Sequence, residues 1–253
     1  MTNSVANATS FNPWNQNASY WAKIIREKRD RYRNELTDAA VLQAIGQCEG
    51  LRVLDAGCGE GYMSRKLANL GAQVAGVDAS EGLIDAARSH PSNQQATISF
   101  EVASVDSLPY TDRAFDLVLC NHLINDLPDP SGSIREFARL LRPAGRIVIL
   151  MLHPCFYNKH TERASAANGM GASAYFQVRS IDQHFEVDGL TSPVANTAWF
   201  RPLEFYTGEL RKSGFSISSL TEPHPSPEQL RSDPWWRASF TRPLFMLIAA
   251  DLS

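Results

Sequence analysis

Apolar and polar positions follow two alternating periods along the chain after residue 50. Short apolar runs are each followed by a segment with helical spacing and then by glycine or proline. Five of these runs predict strands: LRVLDAG, AQVAGVDA, ISFEVAS, FDLVLCN and RIVILMLH. Continuous apolar strands that alternate with helices are typical of a parallel sheet covered on both faces. The pattern therefore predicts a doubly wound α/β fold.

The intervening helices have recognisable ends. YMSRKLANLG ends at Gly71, Ser80 is placed as the N-cap of EGLIDAARSH, and SGSIREFARLLRPAG ends at Pro143 and Gly145. Further along, RPLEFYTGELRKSG predicts a helix and FSISSLTE a strand. The last apolar run, RPLFMLIAAD, follows without a helical pattern strong enough for a crossover. We expect such a strand to run antiparallel to its neighbour or to lie at an edge.

Two segments break this alternation. Residues 1 to about 18 carry too little apolar surface to offset chain entropy, and YWAKIIREKRDRYRNEL after them has helical spacing. Residues 154 to about 200 contain scattered aromatic side chains and are too long for an ordinary connection. We therefore expect residues 1 to about 18 to be disordered or to form a lid. We expect residues 154 to about 200 to be functional or mobile and to lie over the end of the sheet that binds a ligand.

Composition narrows the range of partners. The chain has 253 residues, a net charge of −3 and a pI near 6.1, which argues against non-specific binding of nucleic acid. The polar N-terminus lacks a signal-peptide core, and no apolar run approaches the roughly 18 residues of a membrane span. The four cysteines have no metal-ligand spacing. We expect a cytoplasmic protein with reduced thiols, no membrane and no metal; a homodimer is left open.

Three glycines follow the first predicted strand, in VLDAGCGEG. Gly57, Gly59 and Gly61 fall at a turn that faces the ligand crevice of a doubly wound sheet, and Asp78 ends the second strand. The G-x-G-x-G spacing differs from the G-x-G-x-x-G of dinucleotide sites. Asp55 would repel a phosphate but would hold an ammonium group. These features favour a cationic amino-acid nucleoside over NAD.

The motifs resemble those of a known enzyme family. VLDAGCGEG, VAGVDAS, FDLVLCNHLINDLPD and LRPAGRIVI are similar to the motifs of class I S-adenosylmethionine-dependent methyltransferases, of the small-molecule, type 11-like kind. The resemblance is strong over residues 51–152 and limited to strand pattern over 203–251. It implies a Rossmann-like seven-stranded sheet with the last strand antiparallel. We predict one domain: an N-terminal lid (1–45), a cofactor-binding core (46–153), a substrate cap (154–201) and core completion (202–253).

The resemblance also implies a set of residues that bind S-adenosyl-L-methionine and its product S-adenosyl-L-homocysteine. The loop before LPY places Ser104 and Val105 against adenine, with Asp106 one position late for the usual acidic residue. Tyr20 is assigned to the lid over the cofactor. The full predicted set is Tyr20, Asp55, Ala56, Gly57, Cys58, Gly59, Asp78, Ala79, Ser80, Ser104, Val105 and Asn121.

Two histidines are candidates for catalysis. His122 and His153 end the fourth and fifth strands, where a near-neutral imidazole suits a hydroxyl nucleophile. The alternative for each is a packing, capping or loop-orienting histidine. Many relatives of this type carry a histidine about where Asn125 or Asp126 stands. Asp126 is thus either an acid–base group or a helix cap.

Aromatic residues of the lid and the cap predict an acceptor site. Its members are Trp14, Trp21, His122, His153, Phe156, Tyr157, Tyr175 and Phe200. Arg201 pairs with an acidic substrate or caps a helix, whereas Trp235 and Trp236 are assigned to the core or an edge. The leading hypothesis is methylation of an O or N atom of a small molecule, and we expect that molecule to be a secondary metabolite. C-methylation and a non-methylating binding protein stay open, and the glycine spacing disfavours a nicotinamide-dependent oxidoreductase.

Overall fold

A seven-stranded mixed sheet forms the centre of the molecule. A computed structural model describes residues 12–92, 98–157 and 172–253. In space the strands follow the order β3-β2-β1-β4-β5-β11-β10. They are β1 (Arg52–Ala56), β2 (Gln73–Asp78), β3 (Ile98–Val102), β4 (Phe115–Asn121), β5 (Leu141–Leu152), β10 (Phe215–Thr221) and β11 (Phe245–Leu252). The five strands predicted between residues 51 and 153 are therefore confirmed, and they pair in parallel.

The last strand shows why no crossover helix is needed. β11 lies between β5 and β10 and runs antiparallel to both, with Ile248 opposite Ile149 and Leu220. The predicted antiparallel direction is confirmed, but the alternative of an edge position is wrong. Two short helices, Pro227–Ser232 and Pro234–Ser239, fill the connection that precedes it.

Helices cover both faces of the sheet. In chain order the helices of the described ranges are α1 (Asn12–Gln16), α2 (Ala18–Arg26), α3 (Asp38–Ile45), α4 (Tyr62–Asn69), α5 (Glu81–Arg88), α6 (Ser131–Leu140), α7 (Ala172–Tyr175), α8 (Leu203–Lys212), α9 (Pro227–Ser232) and α10 (Pro234–Ser239). Alternate side chains of each central strand enter opposite layers. Leu54 packs with α6 and α8, and Val53 packs with α3 and α4. None of the helices in these ranges has the length and apolar character needed to cross a bilayer.

Local signals in the sequence explain the helix boundaries. The Ser80 side chain accepts a hydrogen bond from the Leu83 amide, which confirms it as the N-cap of α5. Gly71 and Gly214 follow α4 and α8 with φ angles of 90° and 91°, where a residue with a Cβ atom would be strained. The four cysteines are free thiols, as expected.

The N-terminal segment is not one continuous helix. α2 ends at Arg26, and Lys28 takes a left-handed φ of 54° that turns the chain. A π-helical turn over Arg33–Thr37 then leads into α3. The expected helix over YWAKIIREKRDRYRNEL is therefore interrupted, because its spacing does not encode the reversal at Lys28. Residues 1–11 lie outside the described ranges.

The insertion after β5 forms two small antiparallel ribbons. β6 (Arg179–Gln183) pairs with β9 (Asn196–Phe200), and β7 (Glu186–Val187) pairs with β8 (Leu190–Thr191).

Hydrogen bonds join this insertion to the N-terminal helices. The fully buried Asn17 side chain donates to the Val194 carbonyl and accepts from the Val194 amide, at 2.9 and 3.0 Å. The Tyr20 hydroxyl contacts the carbonyls of Phe185 and Leu190 at 3.2 Å each. The two segments thus form a single roof, by which we mean the described residues 12–33 and 172–200.

Candidate active site

The glycine turn after β1 uses its glycines in two ways. Gly57, Gly59 and Gly61 all have positive φ angles, of 71°, 56° and 79°. A Cβ atom on Gly61 would lie 2.6 Å from the Phe100 ring, whereas nothing lies within 4 Å of one built on Gly59. Gly61 is therefore needed for close packing, and Gly59 leaves open space at the carboxyl end of the sheet. One turn thus contains a glycine needed for close packing and a glycine that leaves space for a ligand.

Alanine substitutions separate these two roles. We expect Gly61→Ala to lower the free energy of unfolding by about 2–4 kcal/mol, because a clash adds to left-handed strain. Gly59→Ala carries the strain alone and is expected to cost about 1–2 kcal/mol. Urea denaturation of both variants checks this. Equal losses would contradict the assignment of Gly61 to packing.

The open space beside Gly59 is a cavity at the ends of β1, β2 and β4, which we call the glycine-loop cavity. Its described lining residues are Trp14, Trp21, Ile25, Arg33, Asp55, Gly57, Cys58, Gly59, Glu60, Tyr62, Met63, Asp78, Ala79, Leu83, Ala103, Val105, Asn121, His122, Leu123 and Asp126. Eight of the twelve residues predicted to bind the cofactor are among them. The cavity therefore lies at the end of the sheet where the motif order predicts a ligand.

Asp78 fixes one side of this cavity. Its carboxylate accepts hydrogen bonds from the amides of Gly59 and Ser80, both at 2.9 Å. Burial raises the pKa of Asp78, against the opposing effect of these amides. The side chain thus connects the glycine turn to the end of β2 while lining the cavity.

Asp55 and Asn121 occupy the opposite wall. The Asp55 side chain is buried, accepts a hydrogen bond from Ser64 at 2.5 Å, and has its pKa raised to about 6, mainly by burial. Asn121 Oδ1 is buried without a hydrogen-bond partner in the described ranges. Neither acceptor has a lysine or arginine hydrogen-bond partner among the described residues, which suits a ligand that brings an ammonium group.

Arg33 is the only lysine or arginine among the described lining residues of this cavity. It begins the π-helical turn, lies 3.6 Å from Asp30, and stands with its guanidinium 6.0 Å from the Tyr62 ring centroid. The sequence did not predict Arg33 as a site residue, because helical spacing gives no indication of a π-helical turn. Such turns are frequent at functional sites, since they redirect a side chain.

Four residues predicted to bind the cofactor lie outside the cavity lining. Ala56 is fully buried in the core, and Ser80 is engaged as the N-cap of α5. Tyr20 contacts the insertion through its hydroxyl. Ser104 does not line the cavity, whereas Val105 on one side and Ala103 on the other do. Asp106, which stands one position after the usual acidic residue, does not line the cavity. Its carboxylate accepts a hydrogen bond from Ser133 of α6 instead.

A second cavity of about 680 Å³ lies under the roof, and we call it the insertion cavity. Its described lining residues are Trp14, Trp21, Arg29, Asp30, Arg31, Tyr32, Arg33, His122, Asn125, Asp126, Leu152, Tyr157, Phe185, Glu186, Val187, Asp188, Asn196, Ala198, Trp235, Ala238, Ser239, Thr241, Leu244 and Phe245. Five residues line both cavities: Trp14, Trp21, Arg33, His122 and Asp126. A ligand in each cavity would therefore meet its neighbour at these side chains.

His122 lies at this junction with an unusual backbone. Its φ is 61°, a left-handed value that is uncommon for a residue with a Cβ atom and is often found at functional sites. Its amide donates to the Leu150 carbonyl, and its ring packs edge-on against Phe245 at 5.6 Å. Burial, reinforced by Arg33, lowers the pKa of His122 to about 3. The imidazole is therefore neutral near pH 7.

Asn125 and Asp126 have separate tasks. Asn125 is buried, accepts from the Leu152 amide at 2.8 Å, and donates to the Trp199 carbonyl at 3.1 Å, so it joins β5 to β9. Asp126 ends a 3₁₀ turn over Ile124–Asp126 and lines both cavities. The alternative of Asp126 as a helix cap has no supporting hydrogen bond among the described residues.

His153 lies outside both cavities, contrary to its prediction as a catalytic and substrate-binding residue. Its Nδ1 accepts from the Cys155 amide at 3.1 Å, which leaves Nε2 to donate to Glu222 at 2.7 Å. Both ring nitrogens are thus occupied, and Phe156 packs on the ring at 4.8 Å while remaining 42% exposed. This arrangement favours the loop-orienting alternative, because the cavity is lined by neighbouring Leu152 instead.

The predicted aromatic acceptor site is only partly assembled. Trp14, Trp21 and Tyr157 line the insertion cavity. Phe200 lies behind Tyr157, stacked at 5.4 Å and fully buried, and the Tyr175 hydroxyl accepts from the Leu203 amide. Phe156, Phe200 and Tyr175 therefore support the insertion without lining the cavity.

Other aromatic residues and Arg201 also differ from expectation. Trp236 is fully buried, as predicted, but Trp235 lines the insertion cavity beneath Arg31, with 4.3 Å between guanidinium and ring centroid. Phe185 packs on Trp21 at 4.9 Å and was missed, because its position within the ribbons has no sequence signal. Arg201 donates to the Pro128 carbonyl and lies outside both cavities. No cluster of three metal-ligating side chains occurs within the described ranges.

Comparisons with known proteins agree with this architecture. Residues 54–149 match the family model described as a methyltransferase domain. The ubiquinone biosynthesis O-methyltransferase of Coxiella burnetii is 40% identical over 99 residues, which cover 39% of this chain and 42% of that protein. The protein of that name from Xanthomonas oryzae pv. oryzae is 34% identical over 156 residues, covering 61% and 62%. The aligned part thus spans about two fifths to three fifths of these relatives.

Solved structures give the fold. An S-adenosylmethionine-dependent methyltransferase from Mesorhizobium loti aligns with a TM-score of 0.66 and 24% identity, covering 84% of this chain and 96% of that one. A putative S-adenosylmethionine-dependent methyltransferase from Listeria monocytogenes aligns with a TM-score of 0.65 and 23% identity. The alignment covers 85% of this chain and 96% of that one. Residues 54–149 therefore match a methyltransferase domain, and 84–85% of the chain shares the fold of these two solved structures.

Proposed function

We propose that this protein is a methyltransferase that uses S-adenosylmethionine to methylate an oxygen atom of a small molecule. The observation that carries the proposal is the junction of the two cavities at His122 and Asp126, because group transfer needs two ligands that meet at one point. The name O-methyltransferase of the relatives favours oxygen over nitrogen or carbon. Their naming for ubiquinone biosynthesis does not favour our expectation of a secondary metabolite.

The residues of the glycine-loop cavity fit S-adenosylmethionine, which supplies a methyl group on a positively charged sulfur. Asp78 would bind the ribose hydroxyls, and the open space at Gly59 admits a ligand against main chain. Asp55 and the unpartnered Asn121 Oδ1 would bind the amino group, and Arg33 would bind the carboxylate. The site needs no phosphate-binding residue, because S-adenosylmethionine has no phosphate group.

The roof would exclude water from the transfer step. Trp14 and Trp21 stack at 5.9 Å and line both cavities, so they cover the point where the two ligands meet. An insertion cavity of about 680 Å³ falls within the usual range for a small-molecule site. Its aromatic lining suits a largely apolar acceptor with a hydroxyl group. His122, neutral at pH 7, would donate a hydrogen bond from its ring N–H to that hydroxyl oxygen and orient it.

Two measurements test the proposed function. In a thermal-shift assay we expect S-adenosylhomocysteine, but not NAD, to raise the melting temperature. Incubation with S-adenosylmethionine and a panel of hydroxylated aromatic compounds should then form S-adenosylhomocysteine. Binding of NAD in preference to S-adenosylhomocysteine would contradict the proposal. Binding without product from any acceptor would favour the non-methylating alternative.

The two histidines should behave differently on substitution. We expect His122→Asn, which tolerates the left-handed backbone, to lower kcat by about 10- to 100-fold, because the acceptor hydroxyl loses its orienting partner. Affinity for S-adenosylhomocysteine should change little. His153→Ala should retain kcat within about threefold, since its ring contacts Cys155 and Glu222 outside the cavities. Steady-state kinetics check both variants, and a larger loss in His153→Ala would restore the original hypothesis.

A further inference from the structure

We propose that Asp126 accepts the proton released in the transfer step, and that its ionisation is coupled to the positive charge of the cofactor. This inference rests on the proposed function and assigns a second residue to the same site. It concerns a side chain that stands about where many relatives carry a histidine, and it decides between the two roles that the sequence left open for Asp126.

Position is the first reason. Asp126 lines both cavities from the end of the 3₁₀ turn after β4, where the methyl donor and the acceptor would meet. Its carboxyl group makes no hydrogen bond to any residue in the described ranges. The adjacent Asn125 fixes the turn through its bonds to Leu152 and Trp199. Asn125 thus fixes the Asp126 carboxyl group at the junction of the two cavities. Among the described residues this group has no hydrogen-bond partner.

Comparison with His122 is the second reason. His122 also lines both cavities, but burial and the nearby Arg33 lower its pKa to about 3, so it takes up a proton poorly. Burial raises the pKa of Asp126 well above its ordinary value, and the negative charge of Asp78 adds to this effect. Of the two groups, Asp126 therefore has the greater affinity for a proton. His122 is left to orient the acceptor.

The electrostatic surroundings of Asp126 are mixed. The charged or titratable groups that line the two cavities besides Asp126 are Arg29, Asp30, Arg31, Tyr32, Arg33, Asp55, Cys58, Glu60, Tyr62, Asp78, His122, Tyr157, Glu186 and Asp188. Arg33 is the one arginine or lysine among the described residues that line both cavities, and Asp30 lies 3.6 Å from it. An added positive charge at the junction would therefore favour the Asp126 carboxylate strongly.

The charges then balance through the reaction. With S-adenosylmethionine bound, Asp126 is a carboxylate facing a sulfonium. Asp126 takes the acceptor's hydroxyl proton as the oxygen forms its bond to the methyl carbon, and the breaking carbon–sulfur bond leaves its electron pair on sulfur. The site then holds a neutral carboxylic acid and a neutral thioether. No net charge is created in a buried space, where an isolated charge would be costly.

This coupling predicts a difference between donor and product in the binding reaction itself. Asp126 should lose its proton when the sulfonium binds but keep it when S-adenosylhomocysteine binds. Asp55 also lines this cavity, but with a pKa of about 6 it is ionised above about pH 7 before either ligand binds, so a comparison made there excludes its contribution. Isothermal titration calorimetry in two buffers of different ionisation enthalpy measures the number of protons released.

In a pH series above about pH 7, we expect S-adenosylmethionine to release more protons than S-adenosylhomocysteine at one or more pH values, by at most about one proton. Asp126→Asn should abolish this difference, and Asp106→Asn, outside both cavities, should retain it. Equal proton release for the two ligands in the wild-type protein would overturn the proposal, even if Asp126→Asn does not fold. A difference that survives in Asp126→Asn would also overturn it. Failure of both ligands to bind would instead reject the proposed function, and this inference with it.

Discussion

Asp78→Ala should weaken S-adenosylhomocysteine binding by about 100-fold or more. The proposed contacts of this carboxylate with two ribose hydroxyls are charge-assisted hydrogen bonds, each worth about 1.5–3 kcal/mol. The substitution also removes the acceptor for the Gly59 and Ser80 amides. The glycine turn would then lose its connection to the end of β2. Both effects reduce affinity for the same ligand.

Calorimetric titration of the variant with S-adenosylhomocysteine measures this loss. Asp106→Ala is the matched control, because Asp106 is the other acidic residue considered for the nucleoside and contacts Ser133 instead. Its affinity should stay within about threefold of wild type. Unchanged affinity in Asp78→Ala would mean that the end of β2 does not bind the ribose.

Asn17→Ala should lower the free energy of unfolding by about 2–4 kcal/mol, as much as Gly61→Ala. Asn17 is fully buried and makes three hydrogen bonds, two with the Val194 main chain and one to Asn196 at 2.6 Å. Truncation would leave both Val194 polar groups and the Asn196 side chain without these partners. The roof would separate locally, and KM for the acceptor would rise.

Urea denaturation gives the loss in the free energy of unfolding, and hydrogen exchange locates it. Faster exchange should appear at residues 185–196 and in α2, with the central strands unchanged. Ser19→Ala, an exposed neighbour on α2, is the control and should fall within about 0.5 kcal/mol of wild type. A loss confined to α2, without faster exchange at Val194, would contradict the joint roof.

The sheet could be predicted because its signals are local. Each central strand is a continuous apolar run, and each following helix begins or ends at a residue such as Ser80 or Gly71. The direction of β11 followed from the lack of a strong crossover-helix pattern before it. Its place between β5 and β10 could not be predicted in this way, because strand order depends on packing between distant segments.

The site was predictable to the same extent. Residues attached to the strand ends, such as Gly59, Asp78 and Asn121, lie where the motif order places them. His153 shows the limit, since the end of β5 was correct but its ring is turned aside by Glu222, 69 positions later. Arg33 depends on a π-helical turn, and Phe185 depends on a two-residue strand pairing. Neither feature has a period that apolar spacing reveals.

The joint roof has a consequence for how acceptor preference changes over evolution. The segments that enclose the insertion cavity lie largely outside residues 54–149, the part that matches the methyltransferase-domain model. Under the proposed function, most residues that would choose the acceptor therefore lie outside the stretch that carries most residues that would bind the donor, although five side chains line both cavities. However, Asn17 and Val194 tie the two roof segments together across 177 positions. Recombination that brings in a new N-terminal segment without its matching insertion would break this contact, so the two must be inherited as a pair.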